Sequence, residues 1–356
     1  MEKKQLNVGL NLFRILLTFG VVLDHFWLGI SPAQQTQGVT AAFYQLRTMA
    51  VPAFMTMTFF FTARRFIGGD VPWLKKRYVR LYEPFCFWAV VYWLVHLAVM
   101  RFDARYGVAV SDLLWQLFLG SSRHLCTQFW FHTDLIILTA LFFLAFRLVK
   151  FPRANIYLGL GALTLSYTLQ YTSLNEAVFG WMPYEAKYPL GRVAPMMAYA
   201  GMGFLLAAVK DRLNALPGGV KVALALCGIW LAWWMTYCKV CPRPGGSCGY
   251  AGVNLSLIAW GLMAAFYFLP FDRLPEAATK VVLGVSKYCM GVYCVHLLLG
   301  QIVFDFVLQG TRMDLGKWGQ LPHYGLGGCL AIWVLSYVFC WLFAKIPLAF
   351  CKRVVE

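Results

Sequence analysis

Residues 6–30 read LNVGLNLFRILLTFGVVLDHFWLGI, a run in which only Arg14, Asp24 and His25 carry ionisable side chains. A helix needs about 20 mostly apolar residues to cross the hydrocarbon core of a bilayer. The run follows Lys3 and Lys4, as the core of a signal peptide would, but it is too long for one and ends without a small-residue cleavage site. It therefore predicts a retained membrane-spanning helix.

Nine further segments of the chain meet the same length and polarity test within a few residues. They are residues 39–61, 81–100, 128–149, 155–172, 193–209, 221–238, 251–270, 281–309 and 325–350. The sequence thus predicts an all-α, polytopic integral membrane protein with about ten transmembrane helices. Residues 1–356 show no internal repeat, low-complexity tract or long linker, which predicts one transmembrane domain.

The composition excludes a soluble core and argues against nucleic-acid binding. Hydrophobic residues make up 60% of the chain and charged residues 13%, whereas soluble domains carry about 25% charged residues. The net charge of +16 does not predict nucleic acid as a partner, because the basic residues lie in short loops and not on one water-exposed face. Membrane lipids with anionic headgroups and an anionic donor such as a coenzyme are the expected partners.

The distribution of Lys and Arg predicts the orientation. With the N-terminus inside, twenty of these residues fall in or beside inner loops and nine in outer loops, while Arg14 and Arg47 lie within spans. Short positively charged loops stay in the cytoplasm. The asymmetry predicts a multi-pass membrane protein with both termini inside.

Three of the eleven cysteines lie in or beside a predicted outer loop: Cys238, Cys241 and Cys248. Three thiols lack the fourth ligand of a structural zinc site. A disulfide and free thiols both remain open for this loop. The other cysteines are scattered through spans, where a thiol packs as a small apolar group. We expect neither a metal nor a permanently bound cofactor.

Two ionisable residues of the first span, Arg14 and His25, share a helix face. They are eleven positions apart, which returns to almost the same direction about 16 Å further along the axis. Asp24 projects from a neighbouring face and could pair with another helix. Ionisable groups in lipid tend to face a cavity or a partner, so this face is a candidate site. The alternatives are a snorkelling Arg14 and a His25 that makes an interhelix hydrogen bond.

Basic residues cluster in the loop after the second span, which reads WLKKRYVRLYEP over residues 73–84. Lys76, Arg77 and Arg80 would stand at the cytoplasmic mouth of the third span, and the two arginines share a helix face. Guanidinium groups bind phosphates in bidentate fashion, which suits a nucleotide-like donor. A topology signal with lipid contacts is the alternative reading.

Two later spans also place polar groups among apolar ones. The fourth opens with QFWFHTD over residues 128–134, which puts His132 and Asp134 beside Trp130 near the outer surface. The ninth contains SKYCMGVYCVH over residues 286–296, with Tyr293 and His296, and Asp305 follows. These residues are further candidates for the site.

Five segments together resemble the acyltransferase-3 family of bacterial integral membrane O-acyltransferases across essentially the whole chain. They are Asn11 to His25, with the family's Arg and a His eleven positions later; Ala50 to Phe54; Lys76 to Pro84, with its R-x-x-R before a Pro; Phe129 to Phe131; and Ser286 to His296. Each segment is a weak signal alone, but five in this order on a ten-helix frame form a specific set.

The resemblance implies an acyl-CoA donor, often acetyl-CoA, and a hydroxyl of a glycan or lipid-linked sugar as acceptor, hence O-acetylation of a polysaccharide or its precursor. It implies a catalytic role for His25 and donor-binding roles for Arg14, Arg77 and Arg80, with Lys76 beside them. Chemistry supports this, because histidine is suited to take the proton of an attacking hydroxyl.

The remaining candidates have secondary roles in this hypothesis. Asp24 accompanies His25, and His132 with Asp134 forms a second candidate catalytic pair. Trp130, Tyr293 and His296 would support the site. Direct transfer and a covalent acyl-enzyme both remain open, as do the acyl chain length, the acceptor and the oligomeric state.

A secondary transporter or flippase is the competing class. In it, Asp24, His25, Asp134 and Asp305 would act as proton or ion relays. Such folds often show internal repeats, and none is evident here. A membrane sensor or scaffold is a third class, but the chain has no soluble signalling domain of the kind expected for it.

Overall fold

The computed structural model describes residues 7–26, 38–100, 108–122, 125, 128–149, 153–172, 174–238, 250, 252–301 and 325–356. Helix accounts for 86% of these residues, and they contain no strand. The prediction of an all-α membrane protein is confirmed. Cys241, Cys248 and Asp305, for which the sequence predicts roles, lie outside the described residues, as does the side chain of Cys238.

Fourteen α-helices lie within the described ranges. They are α1 (Val8–Phe26), α2 (Gly38–Ile67), α3 (Val71–Met100), α4 (Val110–Leu119), α5 (Trp130–Leu148), α6 (Ala154–Tyr171), α7 (Leu174–Phe179), α8 (Tyr184–Asn214), α9 (Gly218–Cys238), α10 (Val253–Phe268), α11 (Glu276–Ser286), α12 (Cys289–Gln301), α13 (Gly325–Phe343) and α14 (Ala349–Arg353).

All ten predicted spans fall on these helices. Within the described part of the chain, six helices are long and apolar enough to cross a membrane: α1, α3, α5, α8, α9 and α13. A seventh span results if α11 and α12, which meet at a bend of 59°, form one broken span. The other predicted spans fall on α2, α6 and α10. The count of ten and the orientation stay predictions.

Several predicted boundaries are wrong. Helix α3 begins at Val71, so the basic segment lies on its first turns and not in a loop. Helix α13 ends at Phe343, short of the predicted residue 350, because Pro347 disfavours helical backbone at the residue before it. The long segment from residue 281 is divided at Lys287 and Tyr288, where the Tyr288 N–H bonds to Val285 in a tightened last turn.

Helix α1 occupies the centre of the bundle. It packs against α2, α10, α11, α12 and α13, and 67% of its spanning window is buried, compared with 17% for α9 and 22% for α13. Exposed tryptophans such as Trp230 and Trp341 mark those outer helices, whose apolar surface suits lipid. The central position explains why ionisable groups on α1 face protein and not lipid.

A glycine sets the approach of α1 to α2. A Cβ added at Gly20 would collide with the carbonyl oxygen of Leu46, so only glycine permits this distance. Helices in lipid associate through such close packing, because burial against another helix gains little over burial in lipid tails. Asp24 lies one turn beyond Gly20 on the same face and is thereby placed beside α2.

Candidate active site

A cavity of about 70 Å³ lies at one end of the bundle. Side chains from the end of α1 and from the early parts of α2, α5 and α8 meet there, together with α12 and the segment before α10. The lining residues are Val21, Asp24, His25, Arg47, Val51, Gln128, Trp130, Tyr188, Arg192, Tyr250 and Tyr293. Five of the eleven candidate residues therefore bound or closely adjoin one space: Asp24, His25, Trp130, Tyr293 and, behind His25, His296.

Asp24 forms an ion pair with Arg47 of α2. The guanidinium Nε lies 3.3 Å from the carboxylate Oδ1, and the side chains are 18% exposed for Arg47 and 35% for Asp24. Asp24 therefore pairs with another helix, as its position on the neighbouring face of α1 allowed. This ion pair helps to fix the end of α1, and with it the backbone that carries His25.

His25 and His296 lie side by side, with ring centroids 5.1 Å apart and ring planes at 44°. The Nδ1 of His296 lies 3.1 Å from the carbonyl oxygen of Val292 and 2.9 Å from that of Tyr293. Only a protonated Nδ1 can donate to a carbonyl, so these contacts place the hydrogen there in neutral His296. Its Nε2 is then an acceptor, buried without a hydrogen-bond partner in the described structure.

A hydrogen-bonded network holds α12, which forms one wall of the cavity. The Tyr293 hydroxyl donates to the backbone carbonyl of Gln128. The side-chain amide of Gln128 donates to the hydroxyl of Tyr92 at 2.8 Å, and that hydroxyl in turn donates to the carbonyl of Cys294 at 3.0 Å. Helices α3 and α12 and the start of α5 are thus tied together, which fixes Tyr293 and, one turn further, His296.

Arg192 and aromatic rings form the α8 side of the cavity. Its guanidinium carbon lies 3.6 Å from the ring centroid of Tyr188, 4.7 Å from that of Trp130 and 5.7 Å from that of Tyr250. The predicted span of residues 193–209 leaves Arg192 in an outer loop, but it lies inside α8. Its position between Pro189 and Pro195, within an apolar stretch, was the signal that could have singled it out.

His132 and Asp134 do not line this cavity. Both are fully buried, and neither the ring nitrogens nor the carboxyl oxygens have a hydrogen-bond partner among the described residues. The His132 ring stacks on Phe85, with centroids 5.9 Å apart and planes at 17°, and lies 5.3 Å from the ring of Tyr293. The second candidate pair is therefore enclosed behind the cavity wall.

Arg14 also lies apart from the described cavity lining. Its Nη1 donates to Asn11 at 3.4 Å, and the same Asn11 oxygen accepts from Ser286 at 3.0 Å. The charge of Arg14 acts on Cys289 and Tyr337, which lie 3.4 Å apart. Arg14 thus belongs to a half-buried polar cluster lower on α1, between α12 and α13.

The basic segment on α3 is at the opposite end of the bundle from the cavity, beside the end of α2. Arg77 is turned inward: its Nε donates to Thr139 at 3.2 Å and its guanidinium lies 5.5 Å from the Trp73 ring centroid. Lys76 and Arg80 are exposed. The three residues therefore share one helix segment but differ in surroundings, with only Arg77 reaching the interior.

No group of three or more His, Cys, Asp or Glu side chains suited to hold a metal occurs in the ranges that the structure describes. The cavity instead combines an imidazole, an ion pair, a further guanidinium and aromatic walls. Such a set can exchange a proton and bind a polar or anionic molecule.

A family model described as an acyltransferase domain matches residues 7–342, nearly the whole chain. No curated protein and no solved structure matches the chain. The class defined by the fold and this match is a membrane acyltransferase. The chain belongs to the acyltransferase-3 family, and the family predicted from its motifs is confirmed.

Proposed function

We propose that this protein transfers an acyl group, acetyl in particular, from acyl-CoA to a hydroxyl of a glycan or lipid-linked sugar in a bacterial inner membrane. The observation that carries the proposal is His25, which lines a cavity inside the bundle of an acyltransferase-family protein. The family match gives no support to a transporter, and no observation favours that alternative.

The reaction needs one proton transfer at the acceptor. As the hydroxyl oxygen attacks the thioester carbonyl, His25 in its neutral form takes the hydroxyl proton. The new C–O ester bond forms, the C–S bond breaks, and the proton passes from His25 to the departing thiolate, giving the ester and free CoA. The neutral imidazole is required, so the transfer rate should decline as acidification protonates His25.

The neighbours of His25 support this role. The Asp24–Arg47 ion pair fixes the end of α1, which holds the imidazole against the cavity. The ring of His296 lies beside that of His25, and its backbone contacts position it. We assign His296 as a positioning residue that orients His25, because an acceptor nitrogen next to an imidazole favours one ring orientation.

The donor would bind from the opposite end. Arg77 is half-buried there, and Lys76 and Arg80 are exposed beside it, a set that suits the phosphates of a coenzyme. Arg14 lies between the two ends, about 16 Å along α1 from His25. An extended donor bound at Arg77 would have to bring its thioester through the bundle to the cavity.

The proposal is tested with purified protein in nanodiscs and acetyl-CoA labelled in the acetyl group. We expect release of free CoA, and transfer of label to glycan or glycolipid extracted from bacterial membranes, both lost in heat-denatured protein. A transporter would release no CoA. Absence of CoA release both with and without the extract would refute an acyl-CoA-dependent transferase.

A further inference from the structure

Among the described residues, Arg192 forms no ion pair at the cavity. Among the described residues that line the cavity, two are arginines and one is an aspartate. The aspartate, Asp24, forms its ion pair with Arg47. No described carboxylate forms an ion pair with Arg192, whose contacts are with the faces of Tyr188, Trp130 and Tyr250.

One guanidinium nitrogen of Arg192 also lacks a hydrogen-bond acceptor among the described residues. Its Nη1 is buried and has no acceptor in the described structure. Contacts with ring faces offset part of the cost of burying the charge, but they leave the N–H groups without an acceptor. A buried donor without a partner is destabilising, and more so on a charged group. Within the described part of the chain, the cavity therefore contains a guanidinium whose Nη1 lacks an acceptor oxygen.

Asp134 does not supply that oxygen. Arg192 lies near both Asp134 and Asp24, but among the described residues it forms an ion pair with neither. Asp134 is fully buried and is absent from the described cavity lining. The open side of Arg192 faces the same space as His25.

We propose that this cavity is the acceptor subsite and that it selects an acidic sugar, whose carboxylate or phosphate binds Arg192 while a nearby hydroxyl lies at His25. The proposal rests on the proposed transferase function. A planar guanidinium binds either anion with two parallel hydrogen bonds, which orients the ligand as well as holding it. The three rings surround the guanidinium and limit its movement, which organises the site before the acceptor arrives.

The test measures binding of three probes, D-glucuronate, D-glucose 1-phosphate and D-glucose, by ligand-observed NMR. The protein is held in nanodiscs of phosphatidylcholine, which carry no net charge. We expect at least one anionic probe to bind about tenfold or more tightly than glucose, the effect of a charge-assisted pair of hydrogen bonds. The stronger of the two anions identifies a sugar carboxylate or a sugar phosphate as the group recognised.

Variants assign the preference to Arg192. Arg192→Gln should abolish it, and Arg192→Lys should keep only part, because an ammonium lacks the planar fork. Arg212 is an exposed arginine on the same helix, so Arg212→Gln is the matched control and should leave the preference for anionic probes unchanged. Asp134→Asn should not weaken anion binding. If Arg192→Gln does not fold, an unchanged anion preference in Arg192→Lys overturns the proposal, and a reduced one supports it.

Acetyl-CoA turnover in the same nanodiscs separates this proposal from the proposed function. If the protein turns over acetyl-CoA but binds glucose as tightly as both anions, the acidic-acceptor proposal is wrong and the transferase function stands. An anion preference that survives in Arg192→Gln also overturns it. Anion binding that depends on Arg192, in protein that never releases CoA, supports the anion site and refutes the transferase.

Discussion

Two histidine–aspartate pairs lie near the same end of the bundle, in different surroundings. His25 and Asp24 on α1 border a cavity, and Asp24 has an ion-pair partner in Arg47. His132 and Asp134 on α5 are fully enclosed, without a hydrogen-bond partner among the described residues. A group that reacts with substrate must be reachable by it, so the comparison favours the α1 pair for catalysis and gives the α5 pair a place in the protein interior.

Helix rotation does not explain the difference. Asp24 and His25 are about 100° apart around α1, and both reach the cavity because it wraps the end of that helix. His132 and Asp134 are about 200° apart, on nearly opposite faces of α5. Both are nevertheless buried, since every residue from Trp130 to Leu135 is buried. The first turns of α5 are enclosed on all sides.

The largest expected effect is the loss of His25. His25→Ala should lower turnover by about 100-fold or more while acyl-CoA still binds, because it removes a positioned proton acceptor. His25→Gln should be no better, since an amide cannot take up the proton at neutral pH. His132→Ala is the matched control and should retain most of the turnover of the folded protein. Radiolabelled transfer and acetyl-CoA binding are measured on the same preparations.

The opposite pattern would reverse the comparison. If His25→Ala folds, binds acetyl-CoA and transfers at nearly the wild-type rate, while His132→Ala is inactive, the α5 pair becomes the catalytic one. The cavity would then have to extend past Tyr293, whose ring lies between the two sites.

The sequence specified the helices well because lipid dictates their length and polarity. It misjudged their ends, since α3 and α8 continue for several turns beyond their apolar stretches, through residues 71–80 and 184–192. Helical ends in the headgroup region tolerate charge, so hydropathy does not detect them. For the same reason, hydropathy placed Arg192 in a loop, although it lies within α8.

The site was predictable only in part, for a related reason. Arg14, Asp24 and His25 were visible because their cost in lipid requires an explanation. The partner of Asp24 was not, because Arg47 comes from another helix and no spacing along the chain connects the two. Residue type and local spacing also could not distinguish His25 from His132, since each is a histidine near an aspartate in an apolar helix; only the resemblance to the family ranked His25 first.

The second prediction concerns the donor end and compares an inward arginine with an exposed basic neighbour. Arg77→Ala should weaken acyl-CoA binding by about 1.5–3 kcal/mol, the value of a hydrogen bond to a charged group. Lys76→Ala should have a smaller effect, because exposed charges are screened by solvent. Arg77→Lys should recover part of the loss, since it keeps the charge but not the fork.

Equilibrium binding of acetyl-CoA measures this effect, with Arg212→Ala as a control on an exposed cation remote from α3. Unchanged affinity in Arg77→Ala would reduce the segment to a topology signal. Equal losses of acetyl-CoA affinity in Arg77→Ala, Lys76→Ala and Arg212→Ala would indicate general electrostatic attraction and not a donor site.

The smallest expected effect compares the two aspartates through stability. Asp24→Asn removes the charge that pairs with Arg47 and should cost about 1 kcal/mol, because the pair is partly exposed to the cavity and solvent weakens it. Asp134→Asn removes a carboxyl with no bonding partner in the described structure, so it should change stability little. Thermal unfolding in detergent ranks the stabilities of the two variants. Packing is matched, because Asn has nearly the same shape as Asp. A larger loss of stability for Asp134→Asn would show that Asp134 is paired in the membrane, with Arg192 as the cation whose charge already acts on it. In that case the two histidine–aspartate pairs would no longer differ in the way that the cavity suggests.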